Sequence, residues 1–366
     1  MFQGTDEMNK AIFKFGLVGC GRISTKHIEA IQEIEGAELV AVCDPDESRA
    51  SAASKKAGGI PYYLSYDEML KKEDIDIVNI LTPSGLHPAH TIDIVKKYRK
   101  HIICEKPMGL RLQDAEEMIR VCDEFGVRLF VVKQNRYNLP VQKLKEAVDA
   151  GKFGRLVMGT VRVRWCRDQK YYDQDSWRGT WEYDGGVLSN QASHHIDLLE
   201  WLMGDPVSVI AKTGTYLADI EVDDTAVAII KFRNGALGVV EATTATRPKD
   251  LEGSLSILGE KGSVVIGGFA VNKMQVWNFA DESEEEKNRI LTEFAETPPN
   301  VYGFGHKRYI EHVLECIRID GKALVDGLEG KKSLELINAI YESAETGREV
   351  FLRFEPKMSK MGKKNA

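Results

Sequence analysis

Apolar positions along this chain follow two different rhythms, and the change falls near Lys133. In the first stretch, short apolar runs stop at glycine, aspartate or proline, and each is followed by a segment with helical spacing. Phe13–Val18 ends at glycines and Glu38–Cys43 ends at Asp44; Ile75–Leu81, His101–Glu105 and Arg128–Val132 have the same form. Runs this short and this apolar predict strands buried on both faces. Helices are predicted between them at about Ser24–Ile34, Glu47–Ala57, Pro88–Lys97 and Leu112–Phe125. Alternating strand and helix predicts βαβ units, a parallel sheet and, with right-handed crossovers, a doubly wound α/β fold.

Beyond Lys133 the grammar changes. A helix at about Pro140–Ala150 stops at Gly151. Six strand-like segments follow: Leu156–Trp165, Val207–Tyr216, Asp224–Phe232, Leu237–Thr244, Gly253–Gly259 and Gly262–Ile266. Several alternate apolar and polar residues, as antiparallel strands with one solvated face do. A helix at about Gly186–Met203 interrupts them, and helices at about Gly305–Arg318 and Lys331–Gly347 come late. The second half is therefore expected to be α+β, built on a large, open, mostly antiparallel sheet. The boundaries read this way are residues 10–133 and 134–356. The polar start, Met1–Lys10, lacks the apolar stretch of a secretion signal; it is either a frayed end or foreign sequence, and the lysine-rich tail after Phe354 is expected to be disordered.

Bulk composition narrows the classes. A chain of 366 residues exceeds one ordinary core, so two domains are expected. Hydrophobic residues at 43% and charged residues at 29% fit a soluble globular protein. A net charge of −7 disfavours a general nucleic-acid or anionic-membrane partner. No run approaches the ~20 apolar residues of a membrane span. The 6 cysteines (Cys20, Cys43, Cys104, Cys122, Cys166, Cys316) form no C-x-x-C pair and read as reduced thiols of a cytoplasmic protein.

The first chemistry-bearing motif is Gly16-Leu-Val-Gly19-Cys-Gly21-Arg22-Ile23-Ser24, a G-x-G-x-x-G pattern with Ser24 in the third place. It follows a predicted strand and opens a predicted helix, the context in which backbone N–H groups meet a pyrophosphate. Gly19 permits the tight turn, and Gly21 lets the phosphates approach. The second strand ends at Asp44, close to the ~20-residue spacing of the carboxylate that takes an adenosine ribose. A carboxylate there repels a 2′-phosphate, so NAD is expected rather than NADP.

Two further strand ends carry Asn79-Ile-Leu-Thr82-Pro83-Ser-Gly-Leu-His87 and Cys104-Glu105-Lys106-Pro107. With the glycine loop, and with Gly151–Gly154, Gly185–Asp197 and Ser343–Gly347 later on, they resemble the signature of the Gfo/Idh/MocA oxidoreductase family, whose E-K-P element is the most specific. The resemblance implies an N-terminal Rossmann domain in which Arg22, Ile23, Thr82, Pro83, His87, Glu105, Lys106 and Gln134 join Gly19, Gly21 and Asp44 around NAD. Lys106 is then expected beside the nicotinamide, its ammonium steadying the oxygen of the reacting alcohol. Whether Pro107 follows a cis bond is left open by the sequence. In Asn190-Gln-Ala-Ser-His194-His195-Ile-Asp197 the resemblance places the family's histidine at His194 and its later aspartate at Asp197; Asn190 stands where an aspartate is common. His194 is the expected catalytic base, and His195 is expected to be structural.

Three segments (133–138, 190–194 and 301–306) are together most similar to the branch that oxidises C3 of UDP-N-acetylglucosaminuronic acid, in the biosynthesis of surface-polysaccharide sugars. Such a substrate calls for cations and stacking aromatics. Arg136, Arg164, Arg167, Arg178, Arg247, Lys307 and Arg308, with Tyr137, Trp177 and Trp181, are candidates. The substrate set expected first is Lys106, Arg136, Asn138, Arg164, Arg178, Asn190 and His194; His306 either binds substrate or caps the next helix. Two other readings stand beside this one: a dehydrogenase of free sugars or inositols, and a non-catalytic NAD-binding regulator. No zinc pattern is seen, so no metal is expected. By resemblance the chain is a homodimer or homotetramer; whether NADH leaves or is recycled in place by 2-oxoglutarate stays open.

Overall fold

A computed structural model of the chain describes residues 12–295 and 304–352. Its first half is β1 (Phe13–Val18), α1 (Ser24–Gln32), β2 (Ala37–Cys43), α2 (Glu47–Lys56), β3 (Tyr62–Tyr63), α3 (Tyr66–Lys72), β4 (Ile77–Ile80), α4 (His87–Tyr98), β5 (His101–Cys104), α5 (Leu112–Glu124) and β6 (Leu129–Val131). The strands form one sheet in the order β3-β2-β1-β4-β5-β6, every neighbour parallel. The uniformly apolar strands are those buried on both faces: Phe15, Leu17, Ile77, Val78, Ile80, Ile102 and Ile103 are out of contact with solvent or nearly so. The order reverses at β1 and β4, where a doubly wound sheet opens its ligand crevice. The sequence pattern passed over β3 and α3; α3 is short, and β3 is two residues at the sheet edge.

The second half comprises α6 (Leu139–Asp149), β7 (Leu156–Arg164), α7 (Gln169–Tyr172), α8 (Gly186–Asn190), α9 (Ser193–Met203), β8 (Pro206–Gly214), β9 (Thr225–Phe232), β10 (Leu237–Thr243), β11 (Glu252–Gly259), β12 (Gly262–Gly267), β13 (Lys273–Phe279), α10 (Glu284–Glu293), α11 (Gly305–Arg318), α12 (Gly327–Thr346) and β14 (Val350–Phe351). Its sheet runs β13-β12-β11-β7-β10-β9-β8-β14, antiparallel except for the β7–β10 pair. One face packs under α9 and α12, burying Val161, Val163, Ile230, Val240 and Leu255 against Leu199, Ile337 and Ile340. The other face is open, and Ile210, Val227, Ile229 and Leu237 stand exposed on it.

Two differences from the sequence pattern have local causes. The helix expected at Gly186–Met203 is two helices, because Gln191 and Ala192 both turn their N–H groups onto the Val187 carbonyl (3.1 and 2.8 Å). The last long helix begins at Gly327, a turn before Lys331, because Asp326 caps it by accepting from the Glu329 N–H at 2.9 Å. The strand β13 and helix α10 were missed, and Met274, Trp277 and Phe279 join the core through them. Helix α11 packs away from its own sheet: Tyr309, Ile310, Val313 and Leu314 share the core of Phe15, Ile28 and Ile31. The two halves are thus joined by apolar packing. The segments before Ile12 and after Leu352, and residues 301–303 of the Val301–His306 segment, lie outside the described residues. Among the described residues, no helix is long and apolar enough to cross a membrane.

Candidate active site

A cavity of about 910 Å³ opens where the carboxyl ends of β1, β2, β4 and β5 face the α7–α9 segment. At its nucleotide end, Gly19 sits at φ +103, and a Cβ there would lie 2.7 Å from the Leu81 carbonyl carbon. Only glycine fits this turn. A Cβ at Gly21 would meet nothing within 4 Å, so the space before the turn is clear. Ser24, in the third place, turns its hydroxyl back to donate to the Gly21 carbonyl at 2.6 Å. The α1 terminus therefore presents backbone N–H groups beside clear space, the cradle a pyrophosphate needs. Asp44 is locked beside it, accepting from the Cys20 N–H (2.8 Å) and the Asp46 N–H (2.9 Å). Arg22, Ile23, Thr82, Pro83, His87, Glu105, Lys106 and Gln134 all line the same cavity.

The far wall holds the reactive groups. Lys106 follows β5, with a cis bond to Pro107, and its Nζ donates to the main-chain oxygen of Asn190 at 2.5 Å. Burial lowers the Lys106 pKa, and the nearby Lys133 and Arg178 add to this, while Glu105 and Asp184 oppose it. His194 lines the same wall, 9% exposed. Burial, then the Lys106 and Lys133 charges, hold its pKa well below the ordinary histidine value. A histidine kept neutral beside a cation is suited to accept a proton. Its Nδ1 has no hydrogen-bond partner among the described residues; nor do Gln191 Nε2 and both ring nitrogens of His195. Buried polar groups are ordinarily paired, so this cluster on one wall of a cavity marks a place for a polar ligand.

Behind Lys106 lies a group that the sequence did not reveal. Asn79 donates to His27 Nδ1 at 2.9 Å, and His27 Nε2 lies 2.9 Å from Glu105 Oε1. The second Glu105 oxygen accepts from the Lys106 N–H at 3.0 Å. His306 Nε2 stands 3.6 Å from Glu105 Oε1, so His306 meets Glu105 and not the cavity. Burial alone would raise the Glu105 carboxyl, but His27 and His306 hold it well below its usual range. Among the described residues, His27, Glu105 and His306 are the grouping of metal-type donors. His27 is at hydrogen-bond distance from Glu105 and His306 at ion-pair distance, and these contacts brace the β5 terminus that carries Lys106.

Three residues expected to touch substrate do not line the cavity. Arg136, 2% exposed, gives two N–H bonds to Asp197 (2.8 and 2.9 Å) and lies 3.3 Å from Glu329. Asn138 donates to the Ala270 carbonyl at 2.8 Å. Arg164 pairs with Glu241 and Glu252 on the sheet. In each case the fold turns the side chain to partners away from the cavity, and those partners are invisible in sequence. Tyr137 packs in the core against Tyr309, Trp181 meets Tyr341, Arg247 bonds the Thr244 carbonyl, Lys307 pairs with Glu33, and Arg308 donates to the Tyr137 carbonyl. Arg167, Arg178, Trp177 and Asn190 do line the cavity, joined by Trp165, Gln191 and His195, which sequence reasoning left out or placed elsewhere.

Known proteins share this fold. Residues 13–133 match the family model described as oxidoreductase family, NAD-binding Rossmann fold, and residues 145–352 match its C-terminal alpha/beta domain. The structure is similar to the WlbA dehydrogenase of Bordetella pertussis in complex with NADH and UDP-GlcNAcA (46% identity, TM-score 0.87, 94% of this chain and 99% of that one). It is also similar to the WlbA dehydrogenase of Chromobacterium violaceum with the same two ligands (44%, TM-score 0.87, 95% and 98%). A myo-inositol 2-dehydrogenase of Thermotoga maritima is 29% identical over 93% of this chain and 98% of its own length.

Proposed function

Because the chain belongs to the Gfo/Idh/MocA oxidoreductase family, we propose that it oxidises C3 of UDP-N-acetylglucosaminuronic acid to the 3-keto sugar, with NAD as acceptor. The observation that carries this is the pairing, on one cavity wall, of the Lys106 ammonium with a histidine, His194, held neutral. Similarity to two enzymes whose structures hold NADH and UDP-GlcNAcA supports the choice of substrate.

Bound NAD⁺ supplies the acceptor for the hydride that leaves C3. The chain does the rest. Lys106 donates a hydrogen bond to the C3 oxygen and stabilises its developing negative charge. His194 accepts the hydroxyl proton as the C–H bond breaks. The Gly19–Ser24 turn holds the pyrophosphate, and Asp44 takes the adenosine ribose. Arg167 and Arg178, which line the cavity while paired with Asp250 (2.9 Å) and Asp175 (3.1 Å), meet the substrate's diphosphate and carboxylate, which planar guanidinium groups bind by paired hydrogen bonds. Trp165 and Trp177 offer stacking faces for sugar and uracil. Asn190 positions Lys106 through its carbonyl.

The apolar residues on the open sheet face suit a second copy of the chain, so the working form is a homodimer or homotetramer. The six cysteines are free thiols, five of them buried, which fits the reducing cytoplasm. The deciding experiment follows NADH formation with UDP-N-acetylglucosaminuronic acid, UDP-glucuronic acid, free hexoses and inositols. Turnover of the first compound above all others is expected. Turnover of inositols or free hexoses in its place would overturn the substrate assignment, and no turnover of any alcohol would overturn the activity.

A further inference from the structure

Asn190, whose carbonyl meets Lys106, carries no charge of its own, and the structure shows the carboxylate that stands behind it. Asn190 Nδ2 donates a short hydrogen bond to Asp184 Oδ1. The second Asp184 oxygen accepts from the Gly179 N–H at 2.8 Å. Asp184 is 1% exposed and sits in the loop ahead of α8. One buried carboxylate therefore ties together two pieces of cavity wall: the Arg178–Gly179 turn, and Asn190, whose carbonyl holds Lys106 at 2.5 Å.

We propose that Asp184 is a positioning residue for the dehydrogenation, acting through Asn190 to hold Lys106 in place and in its ammonium form. The inference rests on the functional reading above. Its physics is that of a buried ion near a buried amine: with little water to screen it, a carboxylate favours the protonated form of the neighbouring lysine. The charged and titratable groups facing Lys106 are Glu105, Asp184, Lys133, Arg178 and His194. Of these only Glu105 and Asp184 are anions, and Glu105 is shared with His27 and His306. Asp184 in turn faces Arg178 and Lys106, whose charges oppose the rise that burial imposes on its carboxyl.

The test uses the full chain and measures kcat and KM against pH for D184N and for the double variant D184N/N190D, which returns a carboxylate one hydrogen bond away. In D184N the alkaline limb of the kcat profile is expected to move to lower pH by about one unit, with kcat on the alkaline side of the limb down by up to ~10-fold. In the double variant the limb is expected to return toward that of the unmodified chain. A purely structural Asp184 would lower Tm and leave the limb in place, so an unmoved limb in folded D184N overturns this inference alone. If D184N does not fold, the double variant decides: failure to give folded enzyme with the original limb also overturns it. Absence of turnover in the unmodified chain overturns both this inference and the functional reading.

Discussion

The Nζ of Lys106, at the end of the parallel sheet, lies 2.5 Å from the main-chain oxygen of Asn190, at the end of α8. The reactive amine of one half is thus held by the backbone of the other, four residues before the histidine that shares its cavity wall.

If Lys106 stabilises the alkoxide and His194 takes the proton, Lys106→Met and His194→Ala should each lower kcat by ~10²–10⁴-fold. NAD affinity, measured by fluorescence titration, should change far less. Full activity in both variants would remove the mechanism.

The pH profile should follow from the same two groups. His194 works as a base only when neutral, and burial beside Lys106 holds its pKa well below 6.5. The acid limb of kcat/KM should therefore lie below pH 6.5, with activity rising as pH passes upward through it. Lys106 must keep its proton, and burial lowers its pKa from 10.5, so the alkaline limb should fall below pH 10.5. An acid limb at or above pH 7 would argue against His194 as the base.

Asp44, fixed by two backbone N–H bonds, should set cofactor choice. Asp44→Ala removes a charged hydrogen-bond partner for the ribose, at a cost of about 1.5–3 kcal/mol, and lifts the repulsion of a 2′-phosphate. The KM for NAD is expected to rise by ~10–100-fold and that for NADP to fall. An unchanged ratio of the two would show that the ribose is read elsewhere.

The buried Arg136–Asp197 pair should matter for folding and not for substrate. Asp197→Ala strands Arg136 and Lys133 without their shared anion, and a broken buried pair typically costs about 3–5 kcal/mol. Thermal melts should show a large drop in Tm for Asp197→Ala and a smaller one for Arg136→Met combined with Asp197→Leu. Equal drops would mean that the ion pair itself, beyond its burial, stabilises the fold.

His195 should make stability fall on acidification. Its folded pKa is pushed down to about 4 by burial, from an ordinary 6.5. The unfolded chain therefore takes up the proton first: stability is full above pH 6.5 and is lost as pH falls from 6.5 toward 4. The loss amounts to about 3 kcal/mol. His87, His194 and His306 are shifted in the same direction and add to the slope. Unfolding curves of His195→Asn should show a shallower dependence across that interval; an identical slope would contradict the burial argument.

Much of the nucleotide end was legible in the sequence, because its chemistry is local. A strand, a glycine turn and a helix follow one another without a gap, so Gly19, Gly21 and Asp44 reach the cavity through backbone geometry that a few consecutive residues fix. Lys106 was legible for the same reason: it directly follows a strand, and strand ends are where such sheets place ligands. The substrate end was read less well. Arg136, Asn138 and Arg164 carry suitable chemistry, but each is taken by a partner far away in the chain: Asp197, Ala270 and Glu241. His195, expected to be structural, also lines the cavity beside His194.

By itself, then, the order of residues determined the two sheets, their parallel or mixed character, the glycine turn and the lysine at the strand end. All of these follow from periodicity and from neighbours in the chain. Tertiary structure alone decided which arginines line the cavity, and that Asp184 is linked to Lys106 through Asn190. Side-chain partnership is a matter of distance in space, and burial makes each partnership strong enough to claim one residue and release another.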